Sequence, residues 1–410
     1  MNRNAWLAGA ALVAAFAWGT AASAQDTVKI AYIDPLSGSF ADVGEQGLHH
    51  FRFLAEKINA GGGVNGKKLE IIGFDNKTNP KESLVQFEKA IDQGIRFITQ
   101  GNGSSVAAAL IEAVEKHNER NPSDRVLFLN YAAVDPVFTN DKCSFWHFRF
   151  DADSDMKMEI VTDWLKTQPN LKKPYVIGQD YSFGHQVAAA AVRMIKAKRP
   201  DMEIVGNEIH PLGRVKDFAP YITKMRAAGA DVIITGNWGT DMTLLIKAAM
   251  DAGFNVPVLT YYGGGLGAPT AMGKAAVGHV RQVTEFHENI ENMNLDPFLD
   301  EYEKKVGQDF YYLRVKNLME MLGRAMNESK SNDPMAVALK LEGMTHDAPT
   351  GKISMRKDNH QILMPMFIST LSDKAKRTVD HTPFGFTTDL RIEADKTAAQ
   401  TTCQMKRPAS

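Results

Sequence analysis

Cysteine is almost missing from this chain: Cys143 and Cys403 are the two in 410 residues. There is no CxxC and no HExxH, so the spacing of a zinc site is lacking. In an oxidising compartment the two cysteines can pair and tie the C-terminal tail to the body of the protein, and two buried free thiols are the other reading. An excess of one charge is lacking as well. Lys and Arg total 47 against 48 Asp and Glu, for a formal net charge of -1. The basic stripe of a nucleic-acid binder is therefore absent, and no nucleic-acid partner is expected. No G-x-S-x-G elbow occurs, and no histidine is tied by motif to a serine, which leaves a hydrolase unsupported. His49 and His50 are adjacent on a predicted helix and do not point to one metal, while His185 reads as a helix-start histidine. No catalytic residue, metal or cofactor is expected.

Long apolar runs are missing too, except at the start. In MNRNAWLAGAALVAAFAWGTAASAQ, Arg3 supplies a positive start, Ala5 to Trp18 an apolar run, and Ala22-Ser23-Ala24 a small-residue cleavage signal. The run is shorter than the roughly 20 residues of a membrane-spanning helix. An export signal cleaved near Ala24 is expected, and with it a periplasmic protein whose fold starts near Gln25; an uncleaved anchor is the competing reading.

What is present is alternation. The length implies two domains. VKIAYI reads as a strand, Gly47 to Ala60 as a helix with Leu48, Phe51, Leu54, Ala55 and Ile58 on one stripe, LEIIGFDN as a strand, Pro80 to Gln93 as a helix, and RFITQ and RVLFLN as strands around an Ala-rich helix. The pattern restarts at PYVIGQ and runs through helix Gln186 to Arg199, EIVGNEI, helix Phe218 to Ala228, DVIITG, helix Thr240 to Ala252 and VPVLTYY. Two α/β lobes follow, each a parallel sheet flanked by helices. Crossings between lobes are expected near Phe148 to Asp151 and Gln282 to Phe286. Helical stretches Leu295 to Val306 and Tyr312 to Met326 and a strand-like TGKISM come after them.

The blocks PLSGSFADVGEQG, INAGGGVNGKKLEIIGFDNKTNPKESL, TGNWGTDMTLLIKAAMDAGFNVPVLT and TGKISMRKDNHQ resemble type I periplasmic solute-binding proteins of the leucine/isoleucine/valine class, over almost the whole chain after the export signal. The resemblance implies a two-lobed clamp joined by three crossovers, with lobe one at 25–148 and 284–355 and lobe two at 149–283 and 356–410. It implies a monomer that binds a small solute between the lobes and hands it to an ABC-type permease.

The same resemblance marks a site. Asn102, Gly103, Ser104 and Ser105 match a serine-bearing loop that meets a ligand carboxylate. A helix starting near Ser105 or Val106 would present unpaired N–H groups there, although a serine could also simply cap it. Tyr131, Ala132 and Ala133 match the next loop, where amino-acid binders commonly offer a hydroxyl and this chain has Val134. Phe183 and Trp238 fall on aromatic positions. Tyr262, beside Tyr261, falls where amino-acid binders place a glutamate for the ligand's ammonium group. Asp135, Asp180 and Asp241 are the candidate replacements. Without one, a hydrophobic or aromatic organic acid is expected, with a branched-chain amino acid as the alternative.

Two other readings compete. A nicotinamide-dependent enzyme is suggested by GNGSSV and by Gly263 to Gly267. However, the first run follows roughly the third strand and has Val106 where the last glycine should stand, and the second run meets Pro269. A freestanding sensor for a separate receptor would share the same binding step.

Overall fold

The computed structural model describes residues 27–408; the predicted export signal lies outside the described residues. The first half follows the alternation closely. β1 (Thr27–Asp34), α1 (Ala41–Ala60), β2 (Lys68–Asp75), α2 (Pro80–Asp92), β3 (Phe97–Gln100), α3 (Ser104–Arg120), β4 (Leu127–Asn130) and β5 (His147–Arg149) succeed one another. The five strands form one parallel sheet in the order β2-β1-β3-β4-β5. β3 and β4 are buried at every position, as expected where helices cover both faces. α1 buries Leu48, Phe51, Leu54 and Ala55, each contributing about 1.5–3 kcal/mol for a large side chain. It begins six residues before the predicted start, because Ala41 to Gln46 carries no apolar stripe to announce a helix. α2 has a clear start signal: Asn79 accepts from the N–H groups of Lys81 and Glu82, and Pro80 opens the helix.

The second unit runs through α4 (Ser154–Lys166), β6 (Pro174–Gln179), α5 (Ser182–Lys198), β7 (Gly206–His210), α6 (Ala219–Ala227), β8 (Val232–Thr235), α7 (Gly239–Asp251), β9 (Val258–Thr260), α8 (Ala268–Met272) and β10 (Val280–Thr284). Next come α9 (Asp296–Val306), α10 (Leu313–Ser329), α11 (Pro334–Leu341), β11 (Thr345–Ala348), β12 (Gly351–Met355), β13 (Ile362–Leu363), β14 (Met366–Ser372) and β15 (Gly385–Ile392). The second sheet has seven strands in the order β15-β14-β10-β9-β8-β6-β7. β14 and β15 join it antiparallel. β11, β12 and β13 make a small antiparallel sheet of their own.

A continuous apolar core containing Ile30, Ile98, Phe128 and Leu318 fills the first unit and reaches the junction between the two. A second cluster, with Ile177, Phe218, Ile233 and Leu245, lies on the seven-stranded sheet. Among the described residues no helix is long and apolar enough to cross a membrane.

The chain passes between the sheets at 150–153, after β10, and before β14. Charged side chains are buried at these passages. Arg149 donates to Gln361 Oε1 at 2.6 Å, to the Asp135 carbonyl at 2.6 Å and to Asp153 Oδ2 at 3.0 Å, and also to Thr139 Oγ1. Gln361 in turn donates to the Asp151 carbonyl at 2.8 Å.

Cys143 and Cys403 are joined by a disulfide across a sequence separation of 260. The tail is also held by Thr401 Oγ1 on the Thr139 carbonyl at 2.7 Å and by Arg407 on Glu342. Cross-linking so long a loop restricts the unfolded chain, typically by about 2–4 kcal/mol. Replacing both cysteines by serine should lower the unfolding free energy by roughly that amount. Denaturant midpoints that coincide for the two proteins, with and without reductant, would show that the tail is held by its other contacts alone.

Candidate ligand-binding site

The strand ends aim at one place. The loops after the C-terminal ends of β3, β4, β6, β8 and β9 converge on a cleft between the two sheets. Open parallel sheets bind ligands at such edges. Gly101, Asn102, Gly103 and Ser104 come from the β3 end, and Ala132, Ala133 and Val134 from the β4 end. Tyr181, Phe183, Trp238 and Tyr262 come from the second unit, and Tyr311, Tyr312 and Arg314 from the start of α10.

Local backbone geometry explains the first loop. Gly103 has φ +98°, a left-handed conformation that glycine adopts readily and other residues do not. It turns the chain into α3 at Ser104. A Cβ on Gly101 would stand 2.7 Å from the Tyr131 ring and 2.8 Å from Ala132, so this position needs glycine to let the two loops touch. Behind the loop, buried Asp34 accepts from the N–H of Asn102 at 2.8 Å, the N–H of Gly101 at 3.1 Å and the Tyr131 hydroxyl at 2.8 Å. Tyr131 also accepts from Asn102 Nδ2 at 2.9 Å.

Of the residues singled out from sequence, Asn102, Gly103, Ser104, Ala132, Ala133, Phe183, Trp238 and Tyr262 line the cleft. Tyr131 lies behind the wall, where it braces the Asn102 loop, and Ser105 does not line the cleft. None of the three candidate ammonium partners lines the cleft, and Asp241 Oδ1 is buried without a hydrogen-bond partner. Asp135 accepts from the Val137 N–H, Asp180 meets His185 at 2.9 Å on the surface, and Asp241 accepts from Gln179 and from the Gly213 N–H. Gln46, Tyr181, Met242, Tyr311, Tyr312 and Arg314 line the cleft without having been marked by any motif.

Two electrostatic features stand out. The first turns of α1, α3, α5 and α7 border the cleft, and none of these helices has a side-chain cap. Uncapped N-termini present free N–H groups and the positive end of the helix dipole. Secondly, the lining contains no carboxylate, and its one charged side chain is Arg314. Arg314 is buried and chelates Glu285, with Nη1 at 2.8 Å from both oxygens. Its Nε stands 3.5 Å from Asp151 Oδ2. Asp151 is paired in turn with fully buried Lys157 at 2.9 Å. Burial opposes the charge on Arg314, but Asp151 and Glu285 hold its affinity for the proton well above the ordinary arginine range.

The walls touch across the cleft: the Phe40 ring lies 4.3 Å from that of Trp238, and Thr240 Oγ1 donates to the Ser39 carbonyl at 2.8 Å. Within the second wall, Trp238 Nε1 donates to the Tyr181 hydroxyl at 2.7 Å. Among the described residues no group of three or more His, Cys, Asp or Glu could hold a metal ion.

Asp34 gives the site a pH dependence. Burial pushes its carboxyl up to about 7, against the lowering effect of the Asn102 N–H, the Tyr131 hydroxyl and the Gly101 N–H. A carboxyl raised on folding stabilises the fold fully below its unfolded value near 4, and that contribution is lost as pH rises through 7. Asp34→Asn should flatten the fall in stability between pH 4 and pH 7, measured by denaturant unfolding at a series of pH values. Parallel profiles for the two proteins would contradict this account.

The model of the family described as periplasmic binding protein matches residues 27–376. The Leu/Ile/Val-binding protein homolog 4 of Brucella abortus is 33% identical, covering 98% of each chain. The fold is similar to the closed crystal structure of a leucine-, isoleucine-, valine-, threonine- and alanine-binding protein from Brucella ovis, with a TM-score of 0.83 and 32% identity over 93% of this chain and 100% of that one. It is also similar, at a TM-score of 0.77 and 21% identity over 90% and 98% of the chains, to a Rhodopseudomonas palustris solute-binding protein solved with 3,4-dihydroxybenzoic acid.

Proposed function

The chain belongs to the periplasmic binding protein family, which makes it a binding protein and not an enzyme, and we propose that it captures a small apolar carboxylate for an ABC-type importer. The lobes divide near residues 149, 284 and 356, and the solute sits between them. One observation carries the ligand class: uncapped helix N-termini surround a cleft whose lining offers no carboxylate. The Gly103–Ser104 turn at the head of α3 receives the acid group. Phe183, Trp238, Tyr262 and Met242 cover the apolar part, where aromatic faces supply contact area.

This arrangement favours an organic acid without an ammonium group. A buried ammonium lacking its carboxylate is costly, since removing one partner of a buried ion pair typically costs about 3–5 kcal/mol. A second reading has its own support. The 33% identical relative is named a Leu/Ile/Val-binding protein homolog, and the apolar wall suits a branched side chain. In that reading backbone carbonyls and the Tyr262 hydroxyl would have to hold the ammonium group.

Ligand contacts with both lobes exist together only when the clamp is closed, so binding shifts the population toward closure. The permease then distinguishes loaded from empty protein by shape. A thermal-shift screen separates the two ligand classes. A ligand at 100 times its dissociation constant stabilises by about 2.7 kcal/mol, and aliphatic or aromatic acids should raise the melting temperature while their amides do not. Shifts with leucine and valine, and none with the corresponding acids, would establish the amino-acid reading instead.

A further inference from the structure

Arg314 presents a loose end. It is 1% exposed and borders the cleft. Its Nη1 is satisfied by Glu285 and its Nε faces Asp151 Oδ2 at 3.5 Å, but Nη2 is buried without any hydrogen-bond partner. The guanidinium carbon lies 4.4 Å from the centroid of the Tyr312 ring, and this ring also lines the cleft. A buried donor left unpaired loses its hydration with nothing in return. The protein atoms around it do not supply the acceptor.

The charge balance says what kind of acceptor fits. Arg314, Glu285, Asp151 and Lys157 form a buried set of two cations and two anions. Their formal charges cancel, so the free donor does not call for another full negative charge. An uncharged oxygen suffices. An ammonium group has nothing to gain there, because a donor would face a donor.

We infer that Arg314 is a specificity-determining residue that donates from Nη2 to an uncharged acceptor on the ligand, so that the preferred solute is an oxo- or hydroxy-substituted acid. This rests on the carboxylate reading of the same cleft and narrows it. The loop at Gly103 and Ser104 takes the acid group, and Arg314 reads the second oxygen.

The test is a set of matched probes measured by titration calorimetry on the full mature chain. The first trio is 4-methylpentanoate, 4-methyl-2-oxopentanoate and leucine. The second is 3-phenylpropanoate, phenylpyruvate and phenylalanine. Pentanoate and 4-oxopentanoate form a pair with the oxygen further from the acid. At least one oxo acid should bind 10-fold or more tightly than its unsubstituted parent, in line with a hydrogen bond to a charged group. Arg314→Lys keeps a cation for Glu285 and removes the fork, so in this variant the ratio of oxo-acid to parent-acid affinity should fall to twofold or less, whatever happens to the affinity for the parent acid. Parent and oxo acids within twofold of each other in the unaltered protein would overturn the inference and leave the carboxylate reading standing; that comparison does not depend on the variant folding. An oxo advantage that persists in Arg314→Lys would overturn the assignment to this residue. Leucine or phenylalanine binding more tightly than every acid, or no binding by any probe, would overturn the underlying reading itself.

Discussion

Four buried charges at the junction of the two sheets constrain everything around them. Arg314 at the start of α10, Glu285 just after β10, Asp151 in the passage after β5 and Lys157 on α4 form one ionic set. Moving such groups out of water costs several kcal/mol per ion, and the cost is offset only when every partner is in place. The set therefore fixes the relative position of three stretches of the chain, at residues 151–157, 285 and 314. Arg149, with its bonds to Asp153, Gln361 and the Asp135 carbonyl, fixes the adjoining passage in the same way. Both arginines are buried near the junction of the two sheets, and Arg314 also forms part of the cleft wall.

The cleft takes its character from that arrangement and from the parallel sheets. Parallel strands with crossover helices bring helix N-termini to one edge of each sheet, and here four uncapped N-termini meet. Carboxylates are directed away from the space: Asp34 pins the Asn102 loop from behind, Asp241 holds Gln179 and Gly213, and Glu285 is occupied by Arg314. The remaining surface is aromatic and apolar. The proposed recognition of an acid without an ammonium group rests on this same geometry.

Much of this could be read in the sequence because the strands are short apolar runs between glycines and capped helices. FITQ, LFLN and VIIT are buried throughout. Helix starts without a cap were harder to place. Neither α1 nor α5 has a side-chain cap, and both begin earlier than their apolar spacing suggests. β14 and β15 carry no motif, and they join the sheet by long-range antiparallel pairing that no local pattern announces. The site divides along similar lines. The GNGSS turn, Phe183, Trp238 and Tyr262 sit in glycine-marked strand-end loops and could be found. Arg314 could not, since nothing in YYLRVKN distinguishes a buried arginine from an exposed one. Its burial depends on Asp151 and Glu285, brought to it by separate passages of the chain. Tyr131 was found for its place in a loop, but its contacts show a brace for Asn102 and Asp34.

The central claim is that the ligand is held by free donors on both sides of the cleft, including the Nη2 group of Arg314, for which the protein supplies no acceptor. Side-chain ¹⁵N NMR of the arginine Nε and Nη groups tests it most directly, with Arg314 assigned through its Arg314→Lys variant. The account predicts that a bound oxo acid shifts the Arg314 Nη2 signals and slows their exchange with water, together with shifts at the Ser104 backbone amide. Arg314 signals that stay unchanged at saturation, while the Ser104 amide moves, would contradict it.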